Sequence, residues 1–369
     1  MVARLVDICN PSRLLLSKSA PKVCATCEKV LSLRYVRTAK MKYSVLIPVF
    51  NRPDEVSELL DSLTRQTLTD FEVVVVEDGS TVPCQEVCEN YSDRLPVRYF
   101  TKDNSGPGRT RNFAAERADG EWLIILDSDC VLPPTYLEEV ERELLREDTD
   151  AFGGPDRAHP DFNNLQKAVS YAMTSFFTTG GIRGGKKKLD KFYPRSFNMG
   201  VRRDVYTALH GFSEMRFGED IDFSTRIFKA GYRCRLFPEA WVWHKRRTDL
   251  WKFFKQVHNS GIARINLMKR HPGTLKPVHT LPALAVVLGT LLILSAFICP
   301  WALTLPALWC LMIFIDATLR NRSLHVGAIA VAASAVQIVG YGTGFLRAAW
   351  ERLVLGHDEF HAFKKNFYK

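Results

Sequence analysis

The chain has 369 residues, of which 46% are hydrophobic, and it carries a formal net charge of +10 at pH 7. This length predicts one large domain with an additional region. Residues 245–276 carry nine basic groups and one acid, whereas residues 41–244 carry 26 basic and 33 acidic groups. A nucleic-acid-binding protein would place its basic groups on the folded domain, so this distribution argues against a nucleic-acid partner and favours a membrane surface.

Residues 1–40 form a basic leader that lacks the features of a signal peptide, because its apolar run at 14–16 is too short. We expect this leader to be disordered or to precede the true start, so that the functional chain begins at Met41. Cys24 and Cys27 lack a second nearby Cys or His pair for zinc. The scattered cysteines predict reduced thiols and a cytoplasmic main domain.

From residue 41 the pattern alternates between short apolar strands and helices. Strands are predicted at 43–50, 71–76, 97–101 and 122–126, and helices at 53–66, 82–91, 109–118, 136–146 and 219–229. Nearly continuous Val, Ile and Leu strands separated by helices predict an α/β fold, with a mostly parallel sheet covered by helices on both faces. Ligands of such sheets bind beyond the carboxyl ends of the strands, so we expect the functional site there.

The Gly- and Lys-rich segment 179–189 predicts a mobile loop, either a solvated linker or a basic lid over an anionic substrate. The helix predicted at 249–269 is amphipathic, and it either lies in a membrane interface or packs on the domain.

The last part of the chain, residues 277–369, is the most apolar. It contains three hydrophobic segments, at 281–298, 301–315 and 326–346. The first two predict a helical hairpin that crosses a membrane and returns. Basic groups flank both ends of this hairpin, which places the flanks on the cytoplasmic face of the cell membrane. The third segment contains Gln337 and is rich in Ala and Gly, and the sequence leaves open whether it crosses, re-enters or lies at the interface.

The most informative motif is the pair Asp127 and Asp129, directly after the strand predicted at 122–126. On an extended backbone, residues i and i+2 project from the same side, so both carboxylates would face one point beyond the sheet. Mg²⁺ and Mn²⁺ prefer oxygen ligands and commonly share them with a phosphate. The alternative is an ordinary turn at the end of a strand.

Polar residues also follow the other predicted strands. Asn51 follows the first strand and Asp78 the second, whereas the third leads to Arg109 and Arg111. Basic residues at the start of a helix oppose its dipole, which indicates an anionic partner.

Two further motifs lie later in the chain. Glu219 and Asp220 open a predicted helix, where acids are usually caps or partners of the helix dipole. His244 ends a predicted strand and is a candidate metal ligand if it comes near the two aspartates.

These motifs, in this order, resemble those of the family 2 inverting nucleotide-sugar glycosyltransferases, which have the GT-A fold. The matching stretches are 45–52, 74–80, 106–112, 126–129, 198–200 and 218–220, together with His244. The resemblance covers about residues 42–270. It implies a GT-A catalytic domain at 41–247, an amphipathic juxtamembrane helix at 248–276 and a membrane-associated region at 277–369.

The resemblance also implies roles for individual residues. It assigns donor binding to Pro48, Phe50, Asn51, Asp78, Arg111, Asp127 and Asn198. It assigns a metal cofactor, Mn²⁺ or Mg²⁺, to Asp127, Asp129 and His244. Asp220, supported by Glu219, would be the general base that activates the acceptor.

The sequence therefore predicts a membrane-anchored, metal-dependent glycosyltransferase. It would move a sugar from a UDP- or GDP-linked donor to a hydroxyl of a lipid-linked or surface-glycan acceptor, with inversion. Processive synthases carry a Gln-x-x-Arg-Trp motif, whose nearest candidate here is Gln-Val-His-Asn at 256–259, so we expect single addition. Two alternatives stay open: a polyprenyl-phosphate sugar synthase, and an inactive nucleotide-sugar-binding membrane scaffold.

Overall fold

The computed structural model describes residues 41–159, 161–179 and 192–359. The predicted basic leader at 1–40 and nearly all of the Gly- and Lys-rich segment at 179–189 lie outside the described residues, as do residues 360–369.

A seven-stranded sheet forms the centre of the domain. Its strands along the chain are β1 (Tyr43–Val49), β2 (Phe71–Asp78), β3 (Val97–Lys102), β4 (Trp122–Leu126), β6 (Ala151–Gly153), β8 (Asn198–Arg202) and β9 (Cys234–Leu236). The order across the sheet is β3-β2-β1-β4-β8-β6-β9, in which β8 runs antiparallel to both of its neighbours and the other pairs are parallel. A smaller sheet contains β5 (Cys130–Val131), β7 (Asp156–Arg157) and β10 (Val242–His244). Its order is β5-β10-β7. The predicted α/β fold with a mostly parallel sheet is confirmed.

Twelve α-helices lie within the described residues. They are α1 (Pro53–Thr64), α2 (Gln85–Tyr91), α3 (Pro107–Arg117), α4 (Tyr136–Arg146), α5 (Asn164–Thr174), α6 (Phe176–Thr179), α7 (Arg203–Ala208), α8 (Glu219–Lys229), α9 (Leu250–Arg270), α10 (Leu281–Ser295), α11 (Thr304–Asn321) and α12 (Leu324–Ala349). Short 3₁₀ turns occur at Pro277–His279 and Pro300–Leu303, and a π turn at Trp350–Val354 follows α12.

Helices cover the central sheet on both faces, as the apolar strands predict. Val45 and Ile47 of β1 pack on one face, in a cluster that includes Leu59 and Leu60 of α1. Leu46 points to the opposite face, in a cluster that includes Phe223 of α8. The alternation along β1 thus buries both sides of the strand, as expected for a parallel sheet between two helical layers.

Several predicted boundaries differ from the structure by one to three residues, and two of these differences have a local cause. Strand β2 continues beyond residue 76 to Asp78 because Asp78 pairs with Lys102 across β3, with their side chains 2.6 Å apart. Helix α2 begins at Gln85 and not at residue 82. Val82 stands before Pro83, and the residue before a proline disfavours the helical conformation.

The third apolar segment forms the long helix α12, which packs against the amphipathic helix α9. Glycines bring the two backbones together: a Cβ atom on Gly344 would lie 2.0 Å from the His258 carbonyl oxygen, and one on Gly261 would lie 2.2 Å from that of Tyr341. Helix α9 also buries Phe253 and Val257 in the same cluster as α12 residues. The predicted amphipathic helix thus packs closely against α12.

The membrane-spanning potential of the apolar helices differs from the prediction. Pro300–Asn321 and Leu324–Val354 are long and apolar enough to span a membrane, whereas the helix at Leu281–Ser295 is shorter. Helix α11 continues past residue 315 because its charged residue Asp316 accepts a hydrogen bond from the Tyr171 hydroxyl at 2.6 Å and pairs with Arg320 at 3.0 Å. By length and composition, the second and third segments are therefore candidate membrane spans.

We expect Gly344→Val to lower the midpoint of thermal unfolding of the full-length protein in detergent. The added side chain would collide with the His258 carbonyl oxygen, and overpacking of this kind costs about 1–3 kcal/mol. Gly289→Val is the matched control, since a Cβ at Gly289 meets no atom within 4 Å. Equal midpoints for the two variants would contradict the close packing of α9 on α12.

Candidate active site

The candidate site lies beyond the carboxyl ends of β1, β2 and β4. Strand β10 pairs antiparallel with β5, with His244 opposite Cys130. This pairing brings His244 beside Asp129, although the two residues are far apart in the sequence. The small sheet therefore positions the histidine against the end of the large one.

Asp129 is buried among cationic groups. Its Oδ1 atom lies 3.1 Å from His244 Nε2, and its Oδ2 atom lies 2.5 Å from Arg52 Nη1 and 3.8 Å from Arg247 Nη1. Burial alone would raise the pKa of Asp129, but His244, Arg52 and Arg247 together hold it below its ordinary value. The side chain is therefore an anion in a strongly positive environment.

The donor atoms around Asp129 fit a divalent cation. Asp129 Oδ1 and His244 Nε2 face each other at 3.1 Å, so a carboxylate oxygen and an imidazole nitrogen lie within reach of one ion. Ligand atoms of Asp129, Cys130 and His244 all lie within 4.8 Å of one another. A carboxylate oxygen and an imidazole nitrogen suit Mn²⁺ or Mg²⁺ better than a thiol does, and the Cys130 thiol already donates to the Phe197 carbonyl at 3.4 Å.

Asp127 faces a different partner from Asp129. Strand β4 ends at Leu126, and residues 128 and 129 form a turn, so the argument from an extended backbone does not apply to this pair. The Oδ1 atom of Asp127 accepts a hydrogen bond from Arg111 Nη2 at 2.8 Å. The structure thus brings together two of the three predicted metal ligands, Asp129 and His244, and directs Asp127 towards Arg111.

Arg111 connects the two acidic motifs of the site. Its side chain is buried, and Nη1 donates to Glu219 Oε1 at 2.9 Å while Nη2 contacts Asp127. Burial opposes the charge of the guanidinium, but Asp127 and Glu219 raise the pKa of Arg111 above its ordinary value. A basic residue at the start of α3 indicated an anionic partner. For Arg111, the partners are two carboxylates of the chain itself.

Glu219 and Asp220 open α8 after Gly218, whose φ of +85° turns the chain into the helix. Asp220 Oδ2 accepts a hydrogen bond from Arg195 Nε at 2.5 Å, and Oδ1 accepts one from the Ile221 amide at 2.8 Å. Burial would raise the pKa of Asp220, yet Arg195 and Arg111 hold it below its ordinary value.

The neighbouring carboxyl group responds in the opposite way. Burial raises the pKa of Glu219, and the charge of Asp220 adds to that effect while Arg111 opposes it. Two adjacent carboxyl groups whose pKa values move apart are typical of acid–base sites. Asp220, whose pKa is lowered, is the more readily ionised member of the pair.

Two predicted donor-binding residues lie inside the protein and make internal bonds. Asp78 is 1% exposed and accepts hydrogen bonds from the Ser105 and Gly106 amides at 2.9 and 2.8 Å. Asn198 is 0% exposed, and its amide group bonds to the Tyr136 hydroxyl at 2.6 Å and to the Ala240 carbonyl at 2.8 Å. Asp78 thereby holds the loop before α3, and Asn198 holds β8 against α4.

The end of β1 supplies the remaining predicted residues. Asn51 has a φ of +54°, and its Oδ1 atom accepts hydrogen bonds from the Thr81 and Val82 amides at 2.8 and 3.0 Å. It therefore ties the end of β1 to the loop after β2. Pro48 is half-buried within β1, and Phe50 lines the cleft beside the site.

A cleft of about 1250 Å³ opens from the acidic pair. One end is lined by Phe50, Arg52, Arg195, Glu219 and Asp220, and the cleft continues between α9, the start of α10 and α12. Its size exceeds the usual 300–1,000 Å³ of a small-ligand pocket, which leaves room for an extended molecule.

Sequence reasoning did not assign roles to three arginines of the site. Arg52 ends the first motif, Arg195 stands three residues before Asn198 and Arg247 stands three residues after His244. The only sign of these roles in the sequence is that each arginine lies close to a motif. Their partners are distant in sequence: Arg52 and Arg247 pair with Asp129, and Arg195 pairs with Asp220.

Comparisons with known proteins bear on this arrangement. The family model described as Glycosyl transferase family 2 matches residues 44–209. The poly(ribitol-phosphate) beta-N-acetylglucosaminyltransferase TarS of Staphylococcus aureus is 36% identical over 125 residues, which are 33% of this chain and 20% of TarS. The match therefore spans about a fifth of the length of that relative. The uncharacterized glycosyltransferase YibD of Escherichia coli K12 is 34% identical over 233 residues, 61% of this chain and 64% of YibD.

A solved structure has a similar overall fold. The mannosyltransferase PcManGT of Pyrobaculum calidifontis, in complex with GDP-Man and Mn²⁺, matches with a TM-score of 0.51 and 18% identity. The likeness covers 90% of this chain and 95% of that chain. At this level of identity it concerns the fold alone.

Proposed function

Since residues 44–209 match the glycosyl transferase family 2 model, we propose that this chain is a glycosyltransferase. It moves a sugar from a UDP- or GDP-linked donor to a hydroxyl of a lipid-linked or surface-glycan acceptor. The transfer is a single displacement with inversion. The observation that carries this proposal is the ionised carboxylate of Asp220 at the cleft, joined through Glu219 and Arg111 to the donor-side Asp127.

In this proposal Asp129 and His244 hold a divalent cation, with Asp127 beside them. The cation, when bound, neutralises negative charge on the departing diphosphate. Arg52 and Arg247, whose guanidinium groups face Asp129, bind the same phosphate groups from the protein side. Phe50 and Asn51 form the wall for the nucleoside, while the buried Asp78 holds the loop before α3 and Asn198 holds β8 against α4.

Asp220 is the proposed general base. It removes the proton of the acceptor hydroxyl as the oxygen attacks the anomeric carbon, and the bond to the diphosphate oxygen breaks on the opposite face. A hydroxyl acceptor carries a proton that this carboxylate can remove. A phosphate monoester is already an anion at neutral pH and needs no base, which favours the transferase over the polyprenyl-phosphate sugar synthase.

Arg195 has two consequences for the base. It keeps Asp220 ionised, and it occupies the Oδ2 atom that must accept the proton. We therefore propose that Arg195 moves away from Oδ2 when substrate enters the cleft, which both residues line.

We expect Arg195→Gln to move the acidic limb of the pH profile of kcat/KM to higher pH. Arg195 lowers the pKa of Asp220, so its removal raises that pKa, and the base is then protonated over a wider acidic range. Arg111 and Glu219, the other charged groups close to Asp220, are unchanged in this variant. Arg142→Gln, at an exposed position of α4, is the control, and an unshifted acidic limb in Arg195→Gln would contradict the role of Arg195.

The proposed location is the cell membrane, with the catalytic domain on its cytoplasmic face. The supporting observations are the two apolar helices that are long enough to span and the nine basic groups at 245–276 that precede them.

The function is tested by adding UDP- and GDP-linked sugars to the full-length protein with Mn²⁺ or Mg²⁺. A donor that binds the folded state raises the unfolding temperature. We expect one sugar nucleotide to protect more than its free nucleotide, and to be hydrolysed or transferred with inversion at the anomeric carbon. Protection by no sugar nucleotide in the presence of metal would overturn the proposal.

A further inference from the structure

The cleft extends well past the proposed base and changes in character along its length. Gly218, directly before Glu219, approaches α9 so closely that a Cβ there would lie 3.1 Å from that of Ala263. The next residue, Arg264, lines the same cleft. Helix α9 therefore forms the wall that leads from the base towards the apolar helices.

The cleft is strongly cationic. Its described lining contains seven Arg and Lys residues but only two acids, Glu219 and Asp220, and each of these acids is already paired with an arginine. Lys252 and Lys255 stand exposed at its rim. A site with this excess of positive charge selects an anionic ligand.

Arg264 and Gln337 mark where the charge of the ligand would lie. Arg264 Nε is buried without a hydrogen-bond partner, and no carboxylate pairs with this side chain among the residues that the structure describes. Gln337, on the apolar helix α12, lines the same cleft and also has a buried, unpartnered Oε1 atom. Buried polar groups normally have partners, so two unpartnered groups at one cleft point to a ligand with its own donors and acceptors.

Where α9, α10 and α12 line it, the cleft also has apolar residues. These include Val257, Leu281, Pro282 and Ile338. Beyond Leu281, the outer surface of α10 is open, with Leu284, Leu288 and Leu291 exposed by 52%, 50% and 56%. A ligand that extends along this wall would have one part in a charged environment and another part in an apolar one, within a single cleft.

We infer that this part of the cleft binds the acceptor as a lipid whose hydrocarbon chain is joined to its glycan through phosphate. The inference rests on the proposed function, because the hydroxyl at the other end of the glycan has to reach Asp220. The phosphate binds Arg264. Gln337 lies next to a hydroxyl of the phosphate or to the glycan, and the hydrocarbon chain lies along α10 and α12. A soluble polyanion would use the basic groups but not the apolar wall.

The test uses farnesyl phosphate as the probe, with the full-length protein in a nonionic detergent. Farnesol carries the same chain without phosphate, and inorganic phosphate carries the charge without the chain. We expect farnesyl phosphate to bind at least about tenfold more tightly than either, because the charge-assisted bond and the apolar burial act together. Equal binding of farnesol and farnesyl phosphate would overturn the inference. So would displacement of farnesyl phosphate by a soluble poly(ribitol phosphate) that binds more tightly.

Two variants locate the site. Arg264→Gln should weaken farnesyl phosphate binding by about tenfold or more, and Gln337→Leu should weaken it to a smaller extent. Arg65→Gln, at an exposed position remote from the cleft lining, should leave it unchanged. Unchanged affinity in Arg264→Gln overturns the inference.

Donor binding, measured in the same samples, separates this inference from the proposed function. Arg264→Gln should bind the sugar nucleotide as the unsubstituted protein does, which also reports that the variant is folded. If the donor binds but farnesyl phosphate does not, the acceptor inference alone fails. If no sugar nucleotide binds to the unsubstituted protein, the proposed function fails, and with it the acceptor role of the site.

Discussion

Asp220→Asn should retain donor binding and lose sugar transfer. The substitution keeps the size of the side chain and its place at the start of α8, but an amide cannot accept the acceptor proton. Loss of a general base lowers kcat by roughly 10²–10⁴-fold. The measurement is kcat for transfer, together with the dissociation constant of the sugar nucleotide in the presence of metal.

Two controls make this experiment selective. Asp204→Asn changes an aspartate of α7 whose side chain is 66% exposed, and it should leave both quantities unchanged. Thermal unfolding of Asp220→Asn reports on the loss of the ion pair with Arg195, independently of catalysis. Transfer by Asp220→Asn at the normal rate would remove Asp220 from the role of base.

Asp129→Ala should abolish the metal dependence of donor binding. Asp129 and His244 are the proposed ligands, and the loss of even an outer-shell partner of a metal site costs about 10–100-fold in affinity or activity. Loss of a direct ligand should therefore weaken metal-dependent donor binding by about 100-fold or more. Titration of the sugar nucleotide with and without Mn²⁺ measures this difference.

The variant also leaves Arg52 and Arg247 without their carboxylate, so stability has to be measured beside binding. Asp129→Asn preserves the shape of the site and should show the same loss of metal dependence. A chelator added to the unsubstituted protein should reproduce the effect. Asp148→Ala, whose side chain is 75% exposed, is the control. Normal Mn²⁺-dependent donor affinity in both Asp129 variants would contradict the proposed metal site.

The order of strands and helices from β1 to β4 could be predicted from the sequence because β1, β2 and β4 are nearly continuous apolar runs, whereas the short strands β6, β8 and β9 were not predicted. The predicted strand at 122–126 and helices at 136–146 and 219–229 agree with β4, α4 and α8. Ends were predicted less well where a polar residue extends an element. Asp78 belongs to β2 because Lys102 compensates its charge, and a partner on another strand is invisible in a local pattern.

The residues of the candidate site could be proposed from the sequence, but their contacts could not be predicted. Asp127 and Asp129 are close in sequence, yet a turn directs one to Arg111 and the other to Arg52 and His244. Which acid an arginine neutralises depends on how distant elements meet. The role of Arg195 is of this kind, because the contact with Asp220 exists only after the loop before β8 folds against α8.

The apolar tail illustrates the same limit. Residues 326–346 resemble an irregular membrane segment because Gly and Ala lower their hydrophobicity. In the structure these small residues allow close helix packing, since Gly344 contacts His258 of α9 and Gly340 contacts Val257. Close helix packing needs small residues at the contact, and it cannot be distinguished from weak apolar character without the partner helix.

The close packing of α12 against α9 has a consequence for the shape of the cleft. One side of α9 meets the glycines of α12 with almost no intervening side chains, and another side lines the cleft. A change in the tilt of α12 therefore displaces the wall of the cleft directly, since no soft layer lies between them to absorb it. In the proposed membrane location, sugar transfer should accordingly depend on the thickness of the bilayer in which the protein is reconstituted, because thickness sets the tilt of a spanning helix.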